Sequence, residues 1–279
     1  MKNLIILVRK GAALWGGAFI LSIFSSVPVL AAPEPDVVQM LAAADVVILG
    51  EVHDNGAHHQ MQADLLSALA PKAVVWEMIT QAQAETLAAI DLSDADHVSA
   101  QLDWVSSGWP EFALYAPVFA AAQGARQFGG QVPRSVAGAV MENGAAEYFG
   151  KEAVVFGLDV PLPEVEQQVR EADQMANHCN AMPGEMLPML VEFQRLRDAS
   201  LAQAVVQALQ ATGGPVAVIT GNGHARKDRG VPVYLATARP EISILSLGQS
   251  EAGQVAGSFD LVLDAEPVDR PDPCLAFQK

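Results

Sequence analysis

Residues 44–78 read ADVVILGEVHDNGAHHQMQADLLSALAPKAVVWEM, and their pattern predicts the fold class. Its apolar runs 46–49 and 73–76 have the length of buried strands, and residues 56–69 between them have a helical pattern. Two buried strands joined by a helix form a βαβ unit, from which parallel sheets are built. Together with similar runs further along the chain, this unit predicts an α/β three-layer sandwich with a mainly parallel central sheet.

Side chains suited to chemistry follow both apolar runs directly. The first run stops at Gly50 and is followed by Glu51 and His53, and the second stops at Glu77. In open parallel sheets, ligands bind in the crevice beyond the carboxyl ends of the strands. We therefore expect Glu51, His53 and Glu77 to lie together on one rim of the sheet.

The same pattern recurs late in the chain. Residues 215–220 form another apolar run, which is followed by Gly221 and, after two more residues, by His224. In both copies the glycine lets the chain turn sharply off the strand, because it has no Cβ. The repetition of the Gly-x-x-His pattern predicts that His53 and His224 point into one site.

These residues are compatible with hydrolytic chemistry. Two imidazoles and a carboxylate, here His53, His224 and Glu51, suit a divalent metal such as zinc or manganese, which would leave Glu77 as a general base. A hydrogen-bonded structural pair of histidine and glutamate is the alternative. The glycines after the second run carry no lysine and no G-x-G-x-x-G pattern, so phosphate binding at this turn is not indicated.

The segments VVILGEVHDNGAHHQMQADLL, VVWEM and VITGNGHARKDRGVPVYL resemble the ChaN-like family of haem-binding uptake proteins. That family belongs to a wider group with the Tiki proteases and the erythromycin esterase-like enzymes. The resemblance covers roughly residues 36–275. It implies haem as cofactor, a role in the uptake or handling of haem iron, and a homodimer that holds haem at its interface. The Tiki and esterase relatives imply the alternative function, a protease or esterase.

The resemblance directs attention to residues that could hold haem. On a helix predicted over residues 110–122, Phe112, Tyr115 and Phe119 share one face, which indicates either core packing or an exposed aromatic surface for haem. A phenolate suits ferric iron, so Tyr115 is the leading candidate ligand. The other candidates are the iron ligands His53, His58, His59 and His224 and the propionate ligands Arg134 and Arg226. Because His58 and His59 point about 100° apart on a helix, at most one of them faces the crevice.

A mostly helical region, residues 160–210, is predicted to be an insertion in the single α/β domain formed by residues 32–279. Family members carry an Arg-Asp pair in such a helix, and Arg197 and Asp198 match it. Adjacent helical residues face different ways, so we expect one of them to be only a surface charge. Residues 126–132 are expected to supply a further strand, although they contain few β-branched residues.

Residues 1–31 resemble a secretory signal peptide, with basic residues, an apolar stretch and small residues before a cleavage site after Ala31. An uncleaved anchor is the alternative, since residues 11–27 reach the short limit for a membrane helix. We therefore expect an exported, periplasmic protein that contacts a membrane only through this segment, and only if the segment is uncleaved. In such a compartment the two cysteines, Cys179 and Cys274, are expected to form a disulfide.

The net charge of −16 argues against two classes of partners. A strongly acidic surface repels nucleic acids and anionic membranes. We expect no nucleic-acid binding.

Overall fold

Six parallel strands form the central sheet of this protein. The computed structural model describes residues 33–277, so the predicted signal peptide, residues 1–31, lies outside the described part. The strands are Val46–Glu51 (β1), Ala73–Trp76 (β2), Arg126–Gly129 (β3), Val216–Gly221 (β4), Ile244–Glu251 (β5) and Leu261–Ala265 (β6). Their order across the sheet is β3-β2-β4-β1-β5-β6.

The strand order places the two Gly-x-x-His segments side by side. β4 lies between β1 and β2, and β1 pairs with β4 in the register that sets Gly50 opposite Thr220 and Glu51 opposite Gly221. All the pairings are parallel, so the carboxyl ends of the strands lie along one edge. The prediction of a parallel sheet is confirmed, and the expected strand in residues 126–132 is present as β3.

The central strands are apolar on both faces because both faces are covered. In β1, Val46 and Ile48 belong to one core, whereas Val47 and Leu49 belong to the other. Successive side chains of a strand point to opposite faces, so an uninterrupted apolar run fills two cores at once. This explains why the strand segments of the sequence are continuous rather than alternating.

Helices cover the two faces of the sheet. In residues 33–277 they are Pro35–Leu41 (α1), Gly56–Leu69 (α2), Gln81–Leu87 (α3), Ala95–Gln101 (α4), Trp104–Ser107 (α5), Phe112–Ala121 (α6), Ala137–Asn143 (α7), Ala145–Phe149 (α8), Glu164–Asn177 (α9), Leu187–Thr212 (α10), Asn222–Ala225 (α11) and Val231–Ala238 (α12). Helices α2 and α6 pack on one face, and α10 and α12 on the other. The three-layer α/β sandwich is confirmed, and the helical region predicted for residues 160–210 is present as α9 and α10.

Helix α2 carries His58 and His59 to the edge of the sheet. It begins after Asn55, whose side-chain oxygen accepts hydrogen bonds from the backbone N–H groups of Ala57, at 2.9 Å, and His58, at 3.4 Å. It ends at Ala70, which has the left-handed conformation common after helix ends. The cap fixes where the helix starts, and thereby fixes which of its side chains meet the strand ends.

The aromatic helix α6 begins at Phe112, two residues later than predicted, and its aromatic face is buried. Tyr115 and Phe119 are completely buried, and the ring of Phe119 stacks on Trp76 of β2 at 4.1 Å between centroids. Of the two interpretations of this aromatic face, core packing is therefore confirmed, and an exposed surface for haem at a dimer interface is wrong. Its side chains fill the core because α6 packs against α2 over the apolar face of the sheet.

The carboxyl-terminal segment of the described chain is fastened to the rest of the domain. Cys179 and Cys274 form the predicted disulfide. Arg270 forms salt bridges with Asp54 and Glu251, each at 2.6 Å. None of the helices described in residues 33–277 has the length and apolar character needed to cross a membrane.

Candidate functional site

The carboxylate of Glu77 is the centre of the polar cluster at the strand ends. It directly follows β2 and is almost completely buried. One oxygen, Oε2, accepts hydrogen bonds from the Thr220 hydroxyl and the Gly221 backbone N–H, both at 2.8 Å. The other, Oε1, lies 2.6 Å from the Arg197 guanidinium and 3.3 Å from Nε2 of His224. Four donors from three parts of the chain therefore hold this side chain in place.

His224 lies between two carboxylates. Its Nδ1 is 2.6 Å from Asp198, while its Nε2 faces Glu77. Burial alone would lower the pKa of His224, but Glu77 and Asp198 outweigh that effect and raise it to about 9. Burial would likewise raise the pKa of Glu77, but the charges of His224, His53 and Arg197 hold it well below its usual value. At neutral pH the pair is an imidazolium beside a carboxylate.

His53 is the more accessible of the two motif histidines. Its Nδ1 is 2.7 Å from Glu51, and its Nε2 is 3.8 Å from Glu77, beyond hydrogen-bond distance. About a third of its side chain, 32%, is exposed, compared with 5% for His224. The ring of Trp109 lies 4.9 Å from the imidazole, between centroids. Burial opposes protonation of His53, but Glu77 and Glu51 outweigh it and raise its pKa.

The carboxylate of Glu51 contacts His53 and also two buried side chains, Tyr115 and His59. The Tyr115 hydroxyl donates a hydrogen bond to Glu51 at 2.8 Å, and Nε2 of His59 lies 3.3 Å from its second oxygen. Burial would raise the pKa of Glu51, but His53 and His59 outweigh it and bring it to about 2. Burial and the charge of Glu51 raise the pKa of Tyr115, which opposes formation of a phenolate. In this conformation the Tyr115 hydroxyl positions the Glu51 carboxylate by a hydrogen bond.

His58 lies away from this cluster. Its Nδ1 accepts a hydrogen bond from the Val52 backbone N–H at 2.9 Å, and its Nε2 lies 3.3 Å from the carbonyl oxygen of Ser250. Burial lowers the pKa of His58 and favours the neutral ring. The two histidines of α2 thus have different neighbours, since His59 faces Glu51.

Arg197 and Asp198 both belong to the site, so the expectation that one is only a surface charge is wrong. Arg197 binds Glu77 and Asp198 binds His224. The two side chains leave α10 about 100° apart. They nevertheless reach the same cluster, because their partners Glu77 and His224 are themselves neighbours.

Two pockets lie on different faces of α10. The larger, about 470 Å³, contacts Phe193 and Arg197 of this helix and also Trp109 and Arg134. The smaller, about 280 Å³, contacts Gln194 of the same helix. The predicted propionate ligands are separated, because Arg134 lines the larger pocket and Arg226 lines the smaller one.

The three predicted metal ligands do not surround one point. Glu51 contacts the Nδ1 side of His53, whereas His224 contacts Glu77. Among residues 33–277, no group of three or more histidine, cysteine, aspartate or glutamate side chains is placed to hold a metal ion.

Sequence reasoning missed several residues of this site. Trp109 and Gln194 contact the motif histidines but have no local pattern that marks them, and Thr220 contacts Glu77. Thr220 had a weak signal, as the polar residue that ends an apolar run. The positions of Trp109 and Gln194 depend on long-range packing, which residue spacing does not encode.

Comparison with known proteins agrees with this architecture. The family model described as haem-binding uptake, Tiki superfamily, ChaN matches residues 37–235, which is more than half of the chain. No curated protein matches the sequence significantly.

Three solved structures are similar to this chain. ChaN of Campylobacter jejuni, described by its cofacial haem binding, is 19% identical, with 79% of this chain and 87% of that chain covered and a TM-score of 0.58. The type III effector HopBA1 is 13% identical, with 86% and 99% covered and a TM-score of 0.47. A protein from Bacillus cereus is 15% identical, with 77% and 68% covered and a TM-score of 0.45. At this identity, the similarity to the Campylobacter protein shows the fold alone.

Proposed function

The chain belongs to the ChaN family of haem-binding uptake proteins in the Tiki superfamily, and we propose that it binds haem through His53 in the cell envelope. The proposal includes export to the periplasm after cleavage of residues 1–31 and a role in the uptake or handling of haem iron. The disulfide supports export, because such bonds persist in oxidising compartments.

We choose His53 as the iron ligand because its side chain is accessible. Of the candidates Tyr115, His53, His58, His59 and His224, it is the one that is not buried. Its Nδ1 is held by Glu51, while its Nε2 makes no hydrogen bond within residues 33–277. A carboxylate on the far nitrogen orients an imidazole ligand and makes it more basic.

The larger pocket fits a porphyrin in chemistry. Two aromatic side chains, Trp109 and Phe193, line it together with two arginines, some aliphatic residues and polar side chains that include Asp103. Arg134 is exposed and forms no salt bridge within the described residues, so it is free to bind a propionate, and Arg197 lies deeper. Haem, when bound, supplies an iron centre whose properties depend on its ligands and on their surroundings.

A visible absorption titration of the purified protein with haemin tests this proposal. We expect a saturable Soret shift that is lost or weakened at least about tenfold by His53→Ala. Tyr115→Phe keeps the aromatic ring and removes only the hydroxyl, and His97→Ala removes an exposed histidine outside the site. Both variants are expected to keep the shift.

Two results would contradict the proposal. A shift that survives His53→Ala but disappears in Tyr115→Phe would make Tyr115 the ligand. No saturable shift in the unaltered protein would exclude haem binding. The same titration followed by light scattering tests whether haem is held by a homodimer, as the family resemblance implies.

The second candidate function is a hydrolase. It is favoured by the two carboxylate-imidazole pairs, Glu51 with His53 and Asp198 with His224, which approach Glu77 from opposite sides. Such pairs position histidine for acid-base catalysis. Hydrolysis of an ester or peptide substrate that is abolished by either His→Ala variant would support this function. Zinc or manganese retained by the protein and lost in those variants would make the hydrolase metal-dependent.

A further inference from the structure

The smaller pocket beside α10 is lined by three arginines. Arg170 comes from α9, and Arg226 and Arg229 come from the loop between α11 and α12. The same pocket exposes the side chain of Gln194. In a chain with a net charge of −16, a cavity of about 280 Å³ thus gathers three guanidinium groups, and the carboxylate of Asp173 lines it as well.

Arg170 is the buried member of this group. Only 6% of it is exposed, although it lines the pocket. Its Nε and Nη2 both donate to Glu166, at 3.1 and 2.5 Å. Its Nη1 has no hydrogen-bond acceptor within residues 33–277. A buried guanidinium therefore retains a free donor at the cavity.

The two loop arginines are held in place and also keep free donors. Arg226 binds Asp228 through Nε and Nη2 and lies across Gly257, where a Cβ would overlap it. Arg229 binds Asp173 through Nη1, at 2.6 Å, and approaches Asp228 through Nε at 3.5 Å. No hydrogen bond within residues 33–277 involves Nη1 of Arg226 or Nη2 of Arg229.

The free guanidinium N–H groups determine which ligands the smaller pocket can bind. Guanidinium groups bind planar carboxylates and tetrahedral phosphates with charge-assisted hydrogen bonds. We propose that the Arg170, Arg226 and Arg229 pocket binds a small molecule bearing a carboxylate or phosphate group. The cavity is at the lower limit of ligand pockets in size, which suits a small anion rather than a porphyrin.

The proposed anion site is separate from the haem site. Gln194 lines the smaller pocket and not the larger one, and its Nε2 lies 3.0 Å from Nδ1 of His224. Phe193 and Arg197, on another face of α10, line the larger pocket instead. The anion site does not depend on haem binding.

Calorimetric titration at low ionic strength, with inorganic phosphate and with malonate as probes, tests the proposal. We expect saturable binding of at least one probe, weakened at least about tenfold by Arg226→Gln and by Arg229→Gln. Gln174→Glu adds a negative charge to the pocket lining without removing an arginine, and is expected to weaken binding as well. Arg239→Gln is the matched control, because Arg239 also pairs with a nearby carboxylate but lies outside the pocket.

Each outcome of the calorimetric titration either supports or overturns the proposed anion site. Binding of phosphate alone or of malonate alone supports the site and identifies which oxyanion it selects. Equal weakening by Arg239→Gln would mean general charge attraction and would overturn the proposal. So would the absence of saturable binding, or loss of binding in Arg134→Gln with retention in Arg226→Gln, which places the anion in the larger pocket. Circular dichroism of each variant checks that the fold is intact.

Discussion

The His53 side chain occupies space that is open because Gly221 has no Cβ. A Cβ added to Gly221 would lie 2.7 Å from Nε2 of His53, well inside contact distance. The relationship is reciprocal between the motifs, because a Cβ on Gly50 would lie 2.5 Å from Oδ1 of Asn222. The first glycine of each Gly-x-x-His segment therefore makes room for a side chain of the other segment.

Gly221→Ala is predicted to displace His53. The backbone of Gly221 has φ −64°, which alanine adopts without strain, so the effect comes from the added methyl group. We expect haemin affinity to fall at least about tenfold and the free energy of unfolding to fall by about 1–3 kcal/mol. Haemin titration and urea unfolding measure the two effects.

Gly223→Ala is the matched control. A Cβ at this position has no heavy atom within 4 Å, and the residue lies in α11, where alanine is favoured over glycine. Unchanged haemin affinity is expected. If both alanine variants lower affinity equally, the close approach of Gly221 to His53 is not the cause.

Phe119→Ala is predicted to act on stability. Phe119 is completely buried and stacks on Trp76. Its removal leaves a cavity and should lower the free energy of unfolding by about 3–5 kcal/mol. Val105→Ala, on a residue that is 93% exposed, should change it by less than about 0.5 kcal/mol. A small effect of Phe119→Ala would mean that α6 does not bury its aromatic face.

Stability is predicted to fall as the pH rises from about 6.5 to about 9. The pKa of His224 is raised from 6.5 to about 9 in the folded chain. The stabilisation is fully present below pH 6.5, where both states bind the proton, and is lost as the pH passes the folded pKa. The unfolding free energy should decrease by on the order of 1 kcal/mol per pH unit in this window. Urea unfolding at several pH values measures it.

The double variant His224→Gln with Asp198→Asn is the control for this pH dependence. It replaces the charged pair by amides of similar size and leaves neither partner buried with an unpaired charge. Its stability should depend less on pH between 6.5 and 9. An unchanged slope would assign the effect to other groups, His53 among them.

Arg270→Gln is predicted to make the protein more sensitive to acid. Hydrogen bonds from Arg270 and Asn55 outweigh burial and bring the pKa of Glu251 to about 2, against 4.5 ordinarily. The depressed pKa gives stability that is present above pH 4.5 and lost as the pH falls towards 2.

Without Arg270, acid unfolding should begin at a higher pH, and stability at neutral pH should fall by about 1 kcal/mol. Acid titration followed by circular dichroism measures the shift. Arg239→Gln, which breaks an exposed pair with Glu241, should leave the acid transition unchanged. An equal shift in both variants would contradict a specific role for Arg270.

Local patterns were sufficient to predict most of the fold. The apolar runs 46–49, 73–76 and 215–220 became adjacent central strands, because only a strand covered on both faces gives an uninterrupted run of that length. The aromatic helix was also predicted, but the sequence did not settle whether its aromatic face is buried or exposed. The residue spacing places Phe112, Tyr115 and Phe119 on one face of the helix, but it does not indicate whether that face packs against the core.

Local residue patterns are enough to place Glu51, His53, Glu77 and His224 at one rim, because each lies at or just after the end of a buried parallel strand and such strands end at the same edge. The role of each side chain there depends on tertiary packing. It paired His224 with Asp198, left His53 partly exposed, and buried Tyr115 under Glu51. These contacts join residues far apart in the chain, and their geometry depends on how α6 and α10 pack on the sheet, which no local residue pattern specifies.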